Sequence, residues 1–290
     1  MDVINGVNLT QPSFVVAGWQ RVYQLFGEQE FLLFTVGTGL VINITYWTFG
    51  LLLLFMDLTT KPKFLWKYKI QQDKNAPLDP ARLPGLFKTT IFNMVALFPV
   101  ISMILYTGGQ FRGSSCSVED LPSLPRFLLD FVAAVLGEEV FFYYSHRLFH
   151  NPYFYKRFHK KHHEWTAPIG LVAIYAHPVE HLLSNTLPLF AGPFIMGSHL
   201  LSVWVWVIVA LITTTITHSG YHFPFMASPQ FHDFHHAKFN YCFGVLGICD
   251  YIHGTDSLFR KSKASERNMT FFSLKPIHER IPDDNALKKD

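Results

Sequence analysis

The chain has 290 residues, of which 49% are hydrophobic and 16% charged, and a formal net charge of +3. A soluble domain is about one quarter charged, so this composition excludes an ordinary soluble domain and reads as an integral membrane protein. The small positive balance comes from local patches, and no basic stretch is interleaved with aromatics in the way nucleic-acid binding requires. Cys116, Cys242 and Cys249 are too few and too scattered for a disulfide framework or a thiolate zinc site. The first thirty residues lack the basic and apolar pattern of a cleavable signal peptide.

In chain order, a mixed N-terminal stretch carries one basic residue, Arg21. Phe31–Met56 is an uncharged apolar run with the length that crosses a bilayer core, ~20 residues. Asp57–Lys88 is polar and holds seven basic residues: Lys61, Lys63, Lys67, Lys69, Lys74, Arg82 and Lys88. Ile91–Tyr106 is a second apolar run, Gly108–Arg126 a loop, and Phe127–Tyr144 a third run. The positive-inside bias puts the basic loop in the cytosol, which leaves the segment after the third run cytosolic too. Leu182–Thr217 is long enough for two short helices. Gly192-Pro193 and Gly197-Ser198 offer breaks, so a hairpin that dips into the membrane and returns is expected. His199 falls in its lumenal turn. The polar tail from Arg260 then caps the site or trails from it. Of three sequons, at Asn8, Asn43 and Asn268, only Asn8 is placed for glycosylation. The expected fold is an all-α integral membrane protein with about four to five transmembrane helices. A cytosolic, histidine-rich helical cap would hold a di-metal site.

All fifteen histidines lie at or after position 146. Ten fall into spaced clusters: His146 and His150; His159, His162 and His163; His218 and His222; His232, His235 and His236. On a helix, residues three and four apart share a face, so HxxHH and HxxxH each direct their imidazoles one way. Imidazole suits iron, zinc, copper and nickel, and one zinc needs three or four protein ligands. Ten imidazoles are too many for one ion and suit two ions with five or six positions each. A lone HxxxH pair arises by chance; four clusters on one expected side of a membrane do not. His177, His181, His253 and His278 fall outside the spacing.

HRLFH, HKKHH and HDFHH, in that order and with the apolar hairpin between the second and third, resemble the three histidine boxes of the fatty acid hydroxylase superfamily. The resemblance covers residues 87 to 256, closing on Gly254–Asp256, and divides the chain into residues 1–86, 87–259 and 260–290. Tyr175–Glu180 (YAHPVE) and His218–Tyr221 (HSGY) are similar to the sterol C4-methyl oxidase branch. The resemblance implies a non-haem di-iron enzyme of the endoplasmic reticulum membrane that uses O2 to oxidise an unactivated C–H bond of a lipid. Electrons would come from NAD(P)H through a separate donor, usually cytochrome b5. Carried over by position, His146, His150, His159, His162, His163, His218, His232, His235 and His236 would be metal ligands, with His222 a weak or exchangeable one.

Carboxylates orient ligating histidines through the other ring nitrogen; Glu138, Glu139, Glu164, Glu180, Asp233 and Asp250 are the candidates. Glu138 and Glu139 stand out because they interrupt an apolar run one to two turns before His146. Phe141, Phe142, Tyr143, Tyr144, Trp165, Trp204 and Trp206 either line the substrate's way in or belong to an interfacial belt. Lysines at 61 to 74 or 156 to 161 either dock an acidic donor or only set topology against lipid headgroups. The reading that follows is a C4-methylsterol monooxygenase. A fatty acyl, sphingolipid or other sterol hydroxylase or desaturase stands beside it, as does a catalytically silent homologue acting through partners. A histidine-rich transporter is disfavoured, because transporters place ionisable ligands mid-membrane.

Overall fold

The computed structural model describes residues 13–75 and 77–283, so the sequon at Asn8 lies outside the described residues. Among the described residues there is no β-strand; Lys69 and Tyr221 form an isolated antiparallel bridge. Helix α1 spans Ser13–Leu25. The first apolar run becomes α2, Glu30–Thr59, and the second becomes α3, Pro80–Phe111. Both contain a π-helical segment, Leu33–Gly37 and Phe92–Ala96 respectively. Helix α4 is Leu124–Phe149, and a short α5, Pro152–Arg157, follows it. Helices α6 (Leu187–Met196) and α7 (Leu200–Ser219) form the hairpin. Helices α8 (Gln230–Lys238) and α9 (Ile248–His253) complete the cap.

Among the described residues, α2, α3 and α7 are long and apolar enough to cross a membrane. That is three helices against the four to five expected, and the shortfall has a physical reason. Helix α4 carries Asp130, Glu138 and Glu139 in its middle. Helix α6 continues directly from the helical turns Pro178–Glu180 and His181–Thr186, whose Glu180, His181, Ser184 and Asn185 make the start of that helix polar. Helix α4 nevertheless turns Leu129, Val132, Leu136 and Val140 outward while burying Asp130 and Glu139. A helix that is apolar outside and polar inside suits lipid on one side and a buried site on the other.

The hairpin forms at one of its two anticipated breaks. Gly197 adopts φ +58°, the left-handed conformation that ends α6. His199 then caps α7 by accepting from the Leu201 amide at 3.1 Å, and its Nε2–H donates to Ser117 O at 2.9 Å. Gly192-Pro193 does not break the helix; Pro193 sits inside α6. The absent side chain at Gly192 serves packing instead. A Cβ there would overlap Ala133 O and Ala134 Cα of α4, and a Cβ on Gly137 would lie 2.7 Å from Gly192 N. The two backbones are therefore in contact along this crossing.

The basic loop after α2 is built into the fold. Lys69 is 3% exposed, and its Nζ donates to Asp57 Oδ1 and to Ser219 O, both at 2.7 Å. Tyr221 Oη donates to the same Asp57 oxygen at 3.1 Å. This cluster ties the end of α2 to the end of α7 and withdraws Lys69 from any docking surface. The tail is docked rather than trailing over its described length. Phe271 and Ile277 are buried against Tyr68, and Lys67 Nζ and Tyr68 Oη donate to Leu274 O at 2.9 and 2.8 Å.

The α4–α6 contact gives a stability test. Gly137→Leu is expected to destabilise the detergent-solubilised protein by about 1–3 kcal/mol through overpacking, read as a lower thermal midpoint. Gly18→Ala, inside α1 at a position with nothing within 4 Å, is expected to raise the midpoint slightly, because alanine is the better helix former by roughly 0.5–1 kcal/mol.

Candidate metal centre

Four structural devices bring the imidazoles together. His146 lies in the last turn of α4 and His150 at its C-cap, one turn on. HKKHH forms a 3-10 segment, His159–Glu164. His218 closes α7, and HDFHH lies on α8. The side chains sort into two groups. His146, His150, His159, His163 and His235 form one; His162, His218, His232 and His236 form the other. Within each group the nearest ring nitrogens all lie within 4.8 Å of one another.

The boxes therefore do not point one way. His159 and His163 enter the first group and His162 the second, whereas His232 and His236 enter the second and His235 the first. On the α-helical path of α8 the fourth residue on returns past the starting direction and the third falls short of it, so HDFHH, wedged between two centres, feeds both. The groups hold five and four imidazoles, where five or six each were expected, because His222 joins neither. Its Nε2–H donates to Met269 O at 2.9 Å.

The hydrogen-bond pattern fixes where the protons are. Six imidazoles face an acceptor at Nδ1: His146 to Phe243 O (2.8 Å), His159 to Glu180 Oε1 (2.8 Å), His162 to Tyr175 O (3.1 Å), His218 to Thr214 O (2.8 Å), His235 to Tyr241 O (2.8 Å) and His236 to Trp165 O (2.9 Å). A carbonyl or carboxylate can only accept, so each of these rings carries its proton on Nδ1 and turns a bare Nε2 lone pair inward. The inward Nε2 atoms of each group then meet. His159 Nε2 lies 3.1 Å from His146 Nε2, 2.8 Å from His150 Nε2 and 2.9 Å from His163 Nε2. In the second group His232 Nε2 lies 2.8 Å from His218 Nε2 and 3.1 Å from His236 Nε2. His146 and His159, both with protons held at Nδ1, have no hydrogen to share across their contact. A cation between them converts repulsion into coordination.

Burial reinforces this. It pushes His162 down to about 4 and holds His159, His163, His235 and His236 well below the usual imidazole range. The rings are thus neutral, which is the metal-binding form. A donor set of nitrogens alone is compatible with iron, zinc, copper or nickel.

The candidate carboxylates divide by role. Glu180 alone among them bonds a clustered histidine directly. Glu139 accepts from the amides of Val245 (2.9 Å), Leu246 (2.6 Å) and Cys249 (2.8 Å). Asp250 accepts from the amides of Phe243 (2.8 Å) and Gly244 (2.6 Å) and from the Thr255 hydroxyl (2.6 Å). These two hold the loop whose Phe243 carbonyl orients His146. Glu164 accepts from Tyr175 Oη at 2.6 Å, in the residue whose carbonyl orients His162. Asp233 accepts from Gln71 Nε2 at 2.7 Å. Glu138 faces two cavities. The backbone carbonyls of Phe243, Tyr175, Thr214, Tyr241 and Trp165 were not anticipated, since any residue type can supply a carbonyl.

One cavity runs from His146, His159, His162, His218 and His232 between the membrane helices, past Ile42, Ile101, Leu105, Leu189 and Leu211. A second meets it at Glu138, Phe142, Thr214, His218 and His232, and is walled by Trp206 and Met269. Of the other aromatics, Tyr143 is fully buried, Phe141 and Tyr144 are half exposed, Trp204 donates to Thr38 Oγ1, and the Arg82 guanidinium covers Trp165 at 3.5 Å. His253 stacks on Tyr143, apart from both groups.

The sequence profile of the fatty acid hydroxylase family matches residues 131–255, which contain every clustered histidine. The chain is 49% identical to fatty acid hydroxylase domain-containing protein 2 of Homo sapiens, over 93% of this chain and 81% of that relative. It is 31% identical to methylsterol monooxygenase 2-2 of Arabidopsis thaliana, over 88% and 97% of the two chains. It is 30% identical to very-long-chain aldehyde decarbonylase GL1-8 of Oryza sativa subsp. indica, over 86% and 94%. No solved structure matches it. With the histidine groups inside the matched residues and relatives aligned over most of both lengths, the chain belongs to the fatty acid hydroxylase family.

Proposed function

We propose that this protein is a non-haem di-iron monooxygenase that oxidises a C–H bond of a bilayer lipid with O2, and that the lipid is a C4-methylsterol. The observation that carries the reading is the pair of inward-facing Nε2 groups at the head of an apolar, membrane-embedded cavity. His146, His150, His159, His163 and His235 would hold one ion, and His162, His218, His232 and His236 the other. Bound iron supplies the oxidising power that an unactivated C–H bond demands. The protein's part is geometric. Carbonyls and Glu180 fix the ring orientations, and the cavity walls hold the lipid against the nitrogens while excluding water. The methylsterol monooxygenase among the relatives supports the sterol substrate. The aldehyde decarbonylase among them supports a straight-chain alternative.

The reading places the chain in the endoplasmic reticulum membrane with the histidines on the cytosolic side, where the substrate arrives from lipid and electrons from a soluble carrier. Electrons would come from NAD(P)H through a separate acidic protein of the cytochrome b5 type. A surface cleft supports a docking point. It opens on His150, its aromatic wall is Tyr155 and Phe239, and the exposed Lys156 and Lys238 rim it. The cleft thus reaches the first group directly at His150, and its Phe239 ring lies 4.9 Å from His163.

Three outcomes are expected. Expressed in cells that lack their own sterol C4-methyl oxidase, the intact chain lowers 4,4-dimethylsterols by mass spectrometry, and a His162→Ala, His163→Ala double variant does not. An unchanged sterol profile with a well-expressed, correctly located chain would sink the sterol assignment. Glu180→Gln replaces the charged acceptor of His159 with a neutral one. It should weaken metal retention about 10- to 100-fold, the usual cost of losing such a partner, read as metal content after graded chelation. A Lys156→Glu, Lys238→Glu double variant should slow reduction by cytochrome b5 and weaken its salt dependence; unchanged reduction kinetics would remove the cleft from consideration.

A further inference from the structure

The cavity has a polar end that the metal groups do not use. Asn93 lies in the π-helical segment Phe92–Ala96 of α3 and is 1% exposed. Its Nδ2 donates to Ile174 O at 3.1 Å and to Ala176 O at 2.9 Å. With the amide hydrogens committed to two carbonyls, the side chain has one orientation, and its Oδ1 has no donor among the described residues. His181 begins a second π-helical segment, His181–Thr186. Its buried Nδ1 also has no partner among the described residues. Both side chains line the apolar cavity. A buried polar atom left unmatched is costly, and native proteins rarely carry that cost without a use for it.

We infer that Asn93 Oδ1 and the His181 imidazole form a binding subsite for a hydroxyl group of the lipid substrate. The chemistry selects the ligand. Asn93 Oδ1 only accepts, so the ligand must donate; a carboxylate, an ester, a ketone or an ether has no hydrogen to give. A hydroxyl donates to Asn93 Oδ1 and uses a lone pair to accept from His181 N–H, which satisfies both residues.

Position adds a second statement. Asn93 grips the residues on either side of Tyr175, whose carbonyl orients His162. His181 follows Glu180, which orients His159. The subsite therefore adjoins the supports of both metal groups, and the apolar body of the ligand extends away from it between α2, α3 and α7. This rests on the proposed lipid oxidation for the meaning of the site, but the subsite itself is testable by binding alone.

The test uses the full chain in phosphatidylcholine nanodiscs and two ligand series, each an alcohol, its methyl ether and its deoxy counterpart. One series is built on a 4-methylsterol and the other on octadecan-1-ol. In at least one series the alcohol should bind about tenfold more tightly than its ether, and His181→Phe should remove about tenfold from the alcohol while leaving the deoxy compound unchanged. An alcohol preference confined to the straight-chain series keeps the subsite and discards the sterol reading. Equal binding of alcohol, ether and deoxy compound in both series overturns the inference, as does failure of any member to bind. Equal weakening of alcohol and deoxy compound by His181→Phe also overturns it, because that is the signature of a merely structural role.

Discussion

The structure depends on a set of lone pairs that cannot stand alone. Buried imidazoles with protons fixed at Nδ1 present Nε2 atoms to one another at 3.1 Å (His146 and His159) and 3.4 Å (His162 and His218). Charging the rings is opposed by their burial, and two imidazolium groups at that range repel. The nitrogens are placed so that each group could hold a cation.

The supports act in layers. Carbonyls from residues 165, 175, 241 and 243 reach the rings, and none of these lies in a long helix, where carbonyls are spent on the helix itself. The irregular segments that carry them need their own anchors. Glu139 and Asp250 supply these by accepting five amide hydrogens from residues 243 to 249. Two carboxylates in a mostly apolar setting thus do for this loop what ladder partners do for a strand. The Asp57–Lys69–Tyr221 cluster performs the same service at the junction of α2 and α7. A buried charge pair is a poor source of net stability but strongly penalises separation of its partners. That suits a joint whose movement would shift His218.

What the sequence disclosed follows from which signals have a residue identity. Apolar runs and box spacings do, so α2, α3, the hairpin and nine clustered histidines were legible. The split of each HxxHH between two centres was not, because spacing alone does not say on which side of the motif each metal lies. Glu139 looked like a ligand support from its place in the apolar run, yet it holds backbone amides, while Glu180 in a polar stretch holds His159. Gly192-Pro193 read as a break, but Gly192 is needed for close approach of α4 and Pro193 is accommodated within α6. His222 has the spacing of a ligand, but the docked tail offers Met269 O to its Nε2. A residue 47 positions away in sequence decided that outcome, and no local pattern encodes it.

The π-helical segments show how the membrane helices and the centre are made compatible. A regular helix satisfies each carbonyl four residues on and presents a fixed stripe to its neighbours. An inserted residue turns part of that stripe and loosens the ladder locally, which is why such segments cluster at functional sites. In the segment His181–Thr186 the Thr186 hydroxyl donates to His181 O at 2.8 Å, so a side chain covers a carbonyl that the wider turn disturbs. The segment at Phe92–Ala96 carries the buried Asn93 amide to the carbonyls that flank Tyr175. Helices whose outer surface must remain apolar for lipid therefore change their inner face over a single turn, and it is there, beside the supports of His159 and His162, that they present polar atoms to the cavity.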